Sequence, residues 1–168
     1  MLGEGYSMIW CINGYDVLLD DEDYERLSIY TYYINSGSLK KKGLHYFQRS
    51  SYIDGVQTTG ILLHRDIMNC FPHDGKVVDH INGNTLDNRK CNLRICSVAE
   101  NARNQKRKST NTSGYKGVTW FKRYSRWRAQ IMINGKGIHL GYYDDIKDAA
   151  DAYNKASKEL HGDFGRTN

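Results

Sequence analysis

The chain has 168 residues, of which 39% are hydrophobic, and its 24 Lys and Arg against 19 Asp and Glu give a net charge of +5. This length fits two small modules and excludes a large catalytic core. We find no apolar run long enough for a membrane helix and no secretion signal, so we expect a cytoplasmic protein with no membrane partner.

The N-terminal third, residues 1–59, predicts a β-rich leader. Residues 17–19 predict a strand, and the acidic residues 20–25 predict the start of a helix. We interpret these acidic side chains as solvated, and a ligand site is the alternative. Tyrosine-rich strands are expected next, with a lysine turn at 40–42. These strands are predicted at residues 28–35, 44–50 and 52–58.

Residues 60–71 predict a helix that is stopped by Pro72. We interpret His64, inside this helix, as a structural histidine. Support of a nearby site and a phosphate contact are the alternatives.

Residues 76–80 predict a short buried strand, and they are followed by a polar loop (81–92), a second strand (93–96) and a helix (97–105). Successive residues of a strand point to opposite faces. Asp79 and His80 therefore share a site only if the strand ends there and the backbone turns.

The residue types around this loop fit one divalent ion and a phosphate. Mg²⁺ prefers oxygen ligands and few protein carboxylates, which Asp79 and the side-chain carbonyl of Asn101 supply, with Mn²⁺ as the alternative ion. His80, neutral near pH 7, can accept a proton from an attacking water. Asn92 has donors and an acceptor that can tie the loop to the backbone and fix the imidazole tautomer.

These residues resemble the HNH motif of the ββα-metal nucleases, especially phage and intron-encoded homing endonucleases. The matching runs are VVDHINGN (77–84), DN (87–88), NLR (92–94) and Asn101. The resemblance covers residues 60–105. It implies Asp79 and Asn101 as metal ligands, His80 as general base, Asn92 as the structural asparagine, and a bacterial or phage-infected cell as the setting.

Many HNH proteins also carry two CxxC pairs that bind a structural zinc ion. The cysteines here are Cys11, Cys70, Cys91 and Cys96, none of which forms a CxxC pair. No structural zinc is therefore expected. We interpret the last three as small core or half-buried thiols.

The charge is divided unevenly along the chain. Residues 1–101 hold 10 Lys and Arg against 13 Asp and Glu, whereas residues 102–168 hold 14 against 6. Between Arg103 and Arg128 there are nine basic residues and no acidic one. We interpret this stretch as a track for DNA phosphates, with a solvated basic surface as the alternative.

The C-terminal part begins with a basic linker at 106–113. Three strands are predicted after it, at 115–123, 126–133 and 137–142. The Asn134-Gly135 pair predicts the turn between the last two strands. Asp144 or Asp145 is expected to cap a helix over 147–161, which Gly162 closes. The helix covers one face of the sheet and leaves the other open.

Strand alternation assigns the side chains to the two faces. The helix side is predicted to hold Trp127, Ala129, Ile131, Ile138 and Leu140. The open face is predicted to hold Arg128, Gln130, Met132, Gly137 and His139. An antiparallel sheet fits the DNA major groove, where Arg and Gln read guanine and adenine edges.

Residues 114–168 resemble the Apetala-type DNA-binding domain of plant ethylene-response factors. The matching runs are YKGV (115–118), WRAQI (127–131), HLG (139–141) and AADAYNKA (149–156). The resemblance implies double-stranded DNA as partner and a docking mode, but no target, because those factors place Arg, Glu or Trp at several contact positions. The candidate DNA-binding residues are Arg103, Lys106, Arg107, Lys108, Lys116, Thr119, Lys122, Arg126, Arg128, Gln130, Met132 and His139.

We therefore predict an α+β chain, with a ββα-metal nuclease unit and a three-stranded antiparallel sheet packed on one helix. Two functions remain open. The first is a metal-dependent, site-specific DNA endonuclease that nicks one strand as a monomer, dimerisation being the alternative. The second is a DNA-binding regulator with an inactive nuclease unit. The intact set of Asp79, His80, Asn92 and Asn101 favours the enzyme.

Overall fold

The structure is a computed structural model, and it describes residues 7–35, 44–53, 56–57, 60–71, 75–105 and 110–168. Several sequence predictions fall outside these ranges. They concern the lysine turn at 40–42, the stop at Pro72, and the candidate DNA-binding residues Lys106, Arg107 and Lys108.

The described ranges form a mixed α+β structure of small antiparallel sheets. The strands are β1 (Ser7–Ile12), β2 (Tyr15–Asp20), β3 (Tyr33–Ile34), β4 (Phe47–Arg49), β5 (Tyr52–Ile53), β6 (Val56–Gln57), β7 (Ile61–Leu62), β8 (Lys76–His80), β9 (Leu93–Ser97), β10 (Val118–Phe121), β11 (Arg126–Ile133) and β12 (Lys136–Tyr143). The helices are α1 (Asp21–Leu27), α2 (Leu63–Ile67), α3 (Val98–Asn104) and α4 (Ile146–His161). Strand neighbours are β1-β2, β3-β4-β7, β5-β6, β8-β9 and β10-β11-β12.

The chain divides into two compact units, Met1–Val98 and Ala99–Asn168. The boundaries predicted at residues 59/60 and 105/106 differ from this division. In the first unit one core joins the leader to the strands around Asp79 and His80, because short two-stranded sheets cannot bury an apolar face alone. The members of this core include Val17, Leu27, Phe47, Leu63, Ile67, Val78 and Leu93.

The helix predicted over residues 60–71 is wrong at both ends. Ile61 and Leu62 are extended and pair with β4, so α2 begins only at Leu63. At the other end Asn69 adopts a φ of 48°, which a continuing helix does not allow. The strand-then-helix order predicted for residues 17–25 is confirmed by β2 and α1.

In the second unit α4 packs on one face of the sheet β10-β11-β12, as predicted. The core between them contains Val118, Ala129, Ile131, Ala149 and Tyr153. The backbone N–H of Lys147 donates to the Asp145 carboxylate at 2.6 Å, so Asp145 is the N-cap. Asn134 and Gly135 both have positive φ, as a tight hairpin turn requires.

Gly117 allows the start of β10 to approach α4 closely. A Cβ atom there would lie 2.1 Å from the Tyr153 ring and 2.7 Å from the carbonyl oxygen of Gln130. The Gln130 N–H donates to the Gly117 carbonyl at 2.9 Å. This contact fixes the middle of β11, including the Gln130 side chain that points to the other face.

Ile138 pairs with the buried Ile131 and therefore lies on the helix side of the sheet, as predicted, but the core does not cover it fully. Its side chain is 42% exposed, whereas Leu140 packs against the core. The β11–β12 register shifts between Ala129 and Gln130, so that Gly141 pairs with Ala129 and Leu140 is the extra residue. Ile138 lies before this bulge on an edge strand, near the turn, where neighbours cover it on one side only.

Candidate functional site

The hairpin of β8 and β9 carries the first group of predicted site residues. In its antiparallel register Asp79 pairs with Arg94 and His80 pairs with Leu93. The strand ends at His80, whose carbonyl accepts the N–H of Gly83 at 2.8 Å. The end of the strand and the turn that follows therefore meet the condition under which Asp79 and His80 can share a site.

Asp79 is a buried carboxylate next to a guanidinium. It is 6% exposed, and its Oδ2 accepts both Nε and Nη2 of Arg94, at 3.0 and 2.8 Å. The Arg94 side chain is itself 15% exposed, so the pair is screened from bulk water. Arg94 thus orients the carboxylate, a role that the sequence analysis did not assign.

His80 is 5% exposed, and its Nε2 atom lies 3.3 Å from Oδ1 of Asn88. Burial lowers the pKa of His80 from its ordinary value, against the opposing effects of the Asn88 hydrogen bond and of the carboxylates of Asp79 and Asp87. A lowered pKa keeps the imidazole neutral near pH 7, which is the form that accepts a proton.

Asn92 closes the loop rather than contacting the imidazole. Its Oδ1 accepts the N–H of Asn82 at 3.0 Å and its Nδ2 donates to the carbonyl of Asp87 at 2.7 Å. The side chain that meets the His80 ring is that of Asn88. Of the two roles predicted for Asn92, it closes the loop, but it does not contact the imidazole whose tautomer it was predicted to fix.

Two aromatic side chains enclose the imidazole. The ring centroids of His64 and Tyr46 lie 5.2 and 6.2 Å from that of His80. Burial, with smaller effects from His80 and Arg65, lowers the pKa of His64 to about 3, and burial raises that of Tyr46. His64 is thus a neutral packing group. Tyr46 was missed because no local pattern distinguishes it from the other tyrosines.

The loop between β8 and β9 is anchored on β2. The Leu18 N–H donates to the Leu86 carbonyl at 2.8 Å, and the Asn88 N–H donates to the Leu18 carbonyl at 2.7 Å. The Asp20 carboxylate accepts the Lys90 N–H at 2.8 Å. The leader therefore holds the loop that carries Asn88, a connection across about 70 residues with no sequence signal.

Asp79, His80 and Asn92 belong to the first unit, and Asn101 belongs to the second. Asn101 is half-buried in α3. Among the described residues no three His, Cys, Asp or Glu side chains gather around one point. Carboxylate and side-chain carbonyl oxygens, the donor types of Asp79 and Asn101, are those that a hard ion such as Mg²⁺ prefers.

Cys70 and Cys96 are buried, in line with their interpretation as core thiols. Cys91 is exposed, so that interpretation is wrong for this residue.

The uncovered side of the second sheet, which we name the open face, brings together most of the predicted DNA contacts of β10, β11 and β12. The cross-strand pairs are Thr119 with Arg128 and Gln130 with His139. Met132, 53% exposed, pairs with Gly137. The open face consists of Thr119, Phe121, Arg126, Arg128, Gln130, Met132, His139 and Tyr142.

An aromatic cluster supports Arg128 on the open face. The rings of Phe121, Tyr124 and Tyr142 lie 5.0 to 5.3 Å apart, and the Arg128 guanidinium lies 5.4 Å from the Phe121 ring. Within the described part of the chain, Nε of Arg128 is buried without a hydrogen-bond partner. The guanidinium is therefore held by stacking, which leaves its polar edge unpaired by any acid described here.

Lys116 differs from the other predicted DNA contacts. Its Nζ donates to the carbonyls of Arg103 and Gln105, at 2.6 and 2.9 Å. Burial lowers the pKa of Lys116, and nearby Arg166 lowers it further. This ammonium group closes the C-terminal end of α3.

Of the remaining basic candidates, Lys122 and Arg126 are exposed and Arg103 is half-buried. Arg126 forms an exposed ion pair with Asp144, at 2.9 Å, and Lys122 is exposed in a 3₁₀ turn. Arg103 donates to Oδ1 of Asn134 at 3.4 Å, beside the β11–β12 turn.

Residues 71–103 match a family model described as HNH endonuclease. This match spans Asp79, His80, Asn92 and Asn101, so residues 71–103 contain an HNH endonuclease domain. The chain is also 38% identical over 92 residues to protein 3.8 of Escherichia phage T7, covering 55% of this chain and 75% of that protein. The chain therefore belongs to the same family as this phage protein.

Two further proteins are similar to parts of the chain. An uncharacterized HNH endonuclease of Acanthamoeba polyphaga mimivirus is 29% identical over 128 residues, which cover 73% of this chain and 65% of the relative. An AP2-like ethylene-responsive transcription factor of Arabidopsis thaliana is 38% identical over 53 residues, which are 32% of this chain and 11% of that factor. The second similarity concerns a small part of a much longer protein.

No solved structure gives a match to the chain. Within the described residues, none of the helices has the length and apolar character needed to cross a membrane.

Proposed function

We propose that the chain is a metal-dependent, site-specific DNA endonuclease of the homing or phage type, with His80 as general base. The observation that carries this proposal is the buried imidazole of His80 at the end of β8, which burial keeps neutral and which follows the buried carboxylate of Asp79 in the same strand. The HNH match over residues 71–103 supports DNA as the substrate.

His80 would take the proton from a water that attacks the scissile phosphorus. A neutral imidazole is needed for this step, and the lowered pKa of His80 supplies it at neutral pH. Arg94 keeps the Asp79 carboxylate in one orientation, at 2.8 Å from Nη2. Asp79 and Asn101 would hold a divalent ion, Mg²⁺ or alternatively Mn²⁺, which when bound stabilises negative charge on the phosphate and the leaving 3′ oxygen.

The second unit would bind the DNA and select the site. Its open face carries Arg128 and Gln130, residue types that read base edges in the major groove. The partial similarity of 53 residues to a plant transcription factor supports this docking mode. One such nuclease domain per chain is expected to cut one strand, so a monomer would nick its target.

The test is conversion of supercoiled plasmid to open circles in the presence of Mg²⁺. We expect the wild-type protein to nick, and both chelation of the metal and His80→Ala to abolish nicking. His45→Ala is the matched control, because His45 is another histidine of the first unit and its ring packs on Tyr15. The His45→Ala protein should retain activity.

Circular dichroism verifies that both variants are folded. If the wild-type protein forms no open circles with either Mg²⁺ or Mn²⁺, the nuclease proposal is wrong. A DNA-binding protein with an inactive nuclease unit is then favoured.

A further inference from the structure

We infer that Asn88 is the positioning residue that fixes the tautomer and the orientation of His80, and that β2 of the leader holds Asn88 in place. The inference rests on the proposed function for its catalytic consequence. Its structural content is a hydrogen-bond pattern that can be tested without any activity.

The pattern begins with the amide of Asn88, which is 2% exposed. Its Nδ2 donates to the carbonyl of Thr85 at 3.1 Å. A carbonyl only accepts, so this bond assigns the NH₂ group to the Thr85 side and directs Oδ1 to the imidazole. Oδ1 lies 3.3 Å from Nε2 of His80.

This orientation determines which imidazole nitrogen carries the proton. Because Oδ1 of Asn88 can only accept, Nε2 of neutral His80 must be the donor. A neutral imidazole has a single N–H, so Nδ1 keeps the lone pair. Nδ1 is therefore the atom that takes the proton from the attacking water.

The backbone of Asn88 is held by β2, whereas its side chain is held within the loop by Thr85. Its N–H donates to the Leu18 carbonyl at 2.7 Å, and the Leu18 N–H donates to the Leu86 carbonyl at 2.8 Å. Val17 and Leu19, on either side of Leu18, are fully buried. A polar loop has no core of its own. These two backbone hydrogen bonds to the rigid strand β2 therefore keep Asn88 in place next to the proposed general base.

The imidazole has little freedom around this bond. His64 and Tyr46 pack around it, with ring centroids 5.2 and 6.2 Å from that of His80. These contacts confine the plane of the ring. The Asn88 contact is directional, so it distinguishes the two nitrogens of the confined ring.

The first experiment measures the tautomer directly. The full chain is labelled with ¹⁵N-histidine, and long-range ¹H–¹⁵N correlations are recorded at a pH where His80 is neutral, with His80→Gln used to assign its signals. We expect the pattern of the Nε2–H tautomer in the wild-type protein. A predominant Nδ1–H tautomer would overturn the inference, whether or not the protein cuts DNA.

The second experiment measures the catalytic consequence with three variants. Asn88→Ala removes the acceptor, and its kcat for nicking should fall roughly ten- to a hundredfold, with the KM for plasmid unchanged. Asn88→Asp keeps an acceptor next to Nε2 and should retain the Nε2–H tautomer and more activity than Asn88→Ala. Asn84→Ala is the matched control, since Asn84 is an exposed asparagine of the same loop.

The outcomes separate this inference from the proposed function. Equal kcat for wild type and folded Asn88→Ala, with active wild type, would overturn the role of Asn88 and leave the nuclease function intact. An inactive wild-type protein would overturn the nuclease function, and the tautomer measurement would still decide the structural part. If Asn88→Ala does not fold, Asn88→Asp and the wild-type spectrum decide.

Discussion

Arg94 and Asp79 stand directly opposite each other in the antiparallel ladder of β8 and β9, and Nε and Nη2 of the guanidinium both donate to Oδ2 of the carboxylate. Asp79 directly precedes His80, whose imidazole we propose as the general base. The negative charge of Asp79, which the proposed metal site needs, is thus stabilised by Arg94 on β9, the strand that follows the loop.

Replacing Arg94 by glutamine should destabilise the protein by about 3–5 kcal/mol, because it removes the guanidinium that pairs with the buried Asp79 carboxylate. Urea unfolding measures the change. The matched control is Arg126→Gln, which breaks an exposed pair with Asp144 and should cost less than about 1 kcal/mol. Similar losses for both variants would show that burial does not distinguish the two pairs.

The buried His64 should make stability depend on pH. Its folded pKa is about 3, below the ordinary 6.5, so between these values the unfolded chain binds one more proton than the folded chain. Stability therefore falls as the pH drops below 6.5. Between pH 7.5 and 5.5 the loss from this residue is about 1.4 kcal/mol.

His64→Phe should remove that contribution while it keeps an aromatic ring next to His80. Urea unfolding of both proteins at pH 7.5 and 5.5 tests this. The wild-type protein should lose more stability than the variant over this interval, and equal losses would contradict the assignment of His64 as a buried neutral group.

Arg128→Ala and Gln130→Ala should each weaken binding to a selected DNA site by about 1–3 kcal/mol and relax base preference at one position. Stability should change little, because both side chains lie on the open face. Fluorescence anisotropy with selected and scrambled duplexes measures the effect. Lys155→Ala is the control, because Lys155 is exposed on α4, the helix that covers the opposite face of the sheet. This variant should keep its DNA affinity within twofold of wild type.

Lys116→Met should act on stability rather than on DNA reading. The substitution keeps the apolar stem and removes the ammonium that bonds the carbonyls of Arg103 and Gln105. We expect a loss of about 1–3 kcal/mol, because two hydrogen bonds from a charged donor to backbone carbonyls are lost. Thermal unfolding reports this loss. A large drop in DNA affinity at unchanged stability would instead return Lys116 to the contact surface.

DNA affinity should depend steeply on salt if the basic stretch follows the phosphate backbone. Neutralising about six phosphates would lower affinity roughly a thousandfold between 50 and 200 mM salt. Binding of the full chain to an unrelated duplex, measured at several salt concentrations, gives the slope. A flat response would contradict a phosphate-tracking role for the residues between Arg103 and Arg128.

The hairpin strands and the C-terminal sheet were predictable from the sequence. β8 and β11 occupy the predicted residues 76–80 and 126–133, and the turn at Asn134 and Gly135 is where it was expected. Apolar alternation and turn residues are local signals, and they act within a few positions of the chain. The HNH domain was predictable for the same reason, since its motif lies within residues 71–103.

The partners of the site residues were decided by tertiary structure alone. Nothing near Asn88 in the sequence indicates that it meets His80, because β2 fixes its position from about 70 residues away. Lys116 has the charge of a DNA contact, yet it closes α3 because the fold brings unpaired carbonyls within its reach. The type of a residue determines which chemistry its side chain can perform, but only the packing of distant segments decides which atoms that side chain contacts.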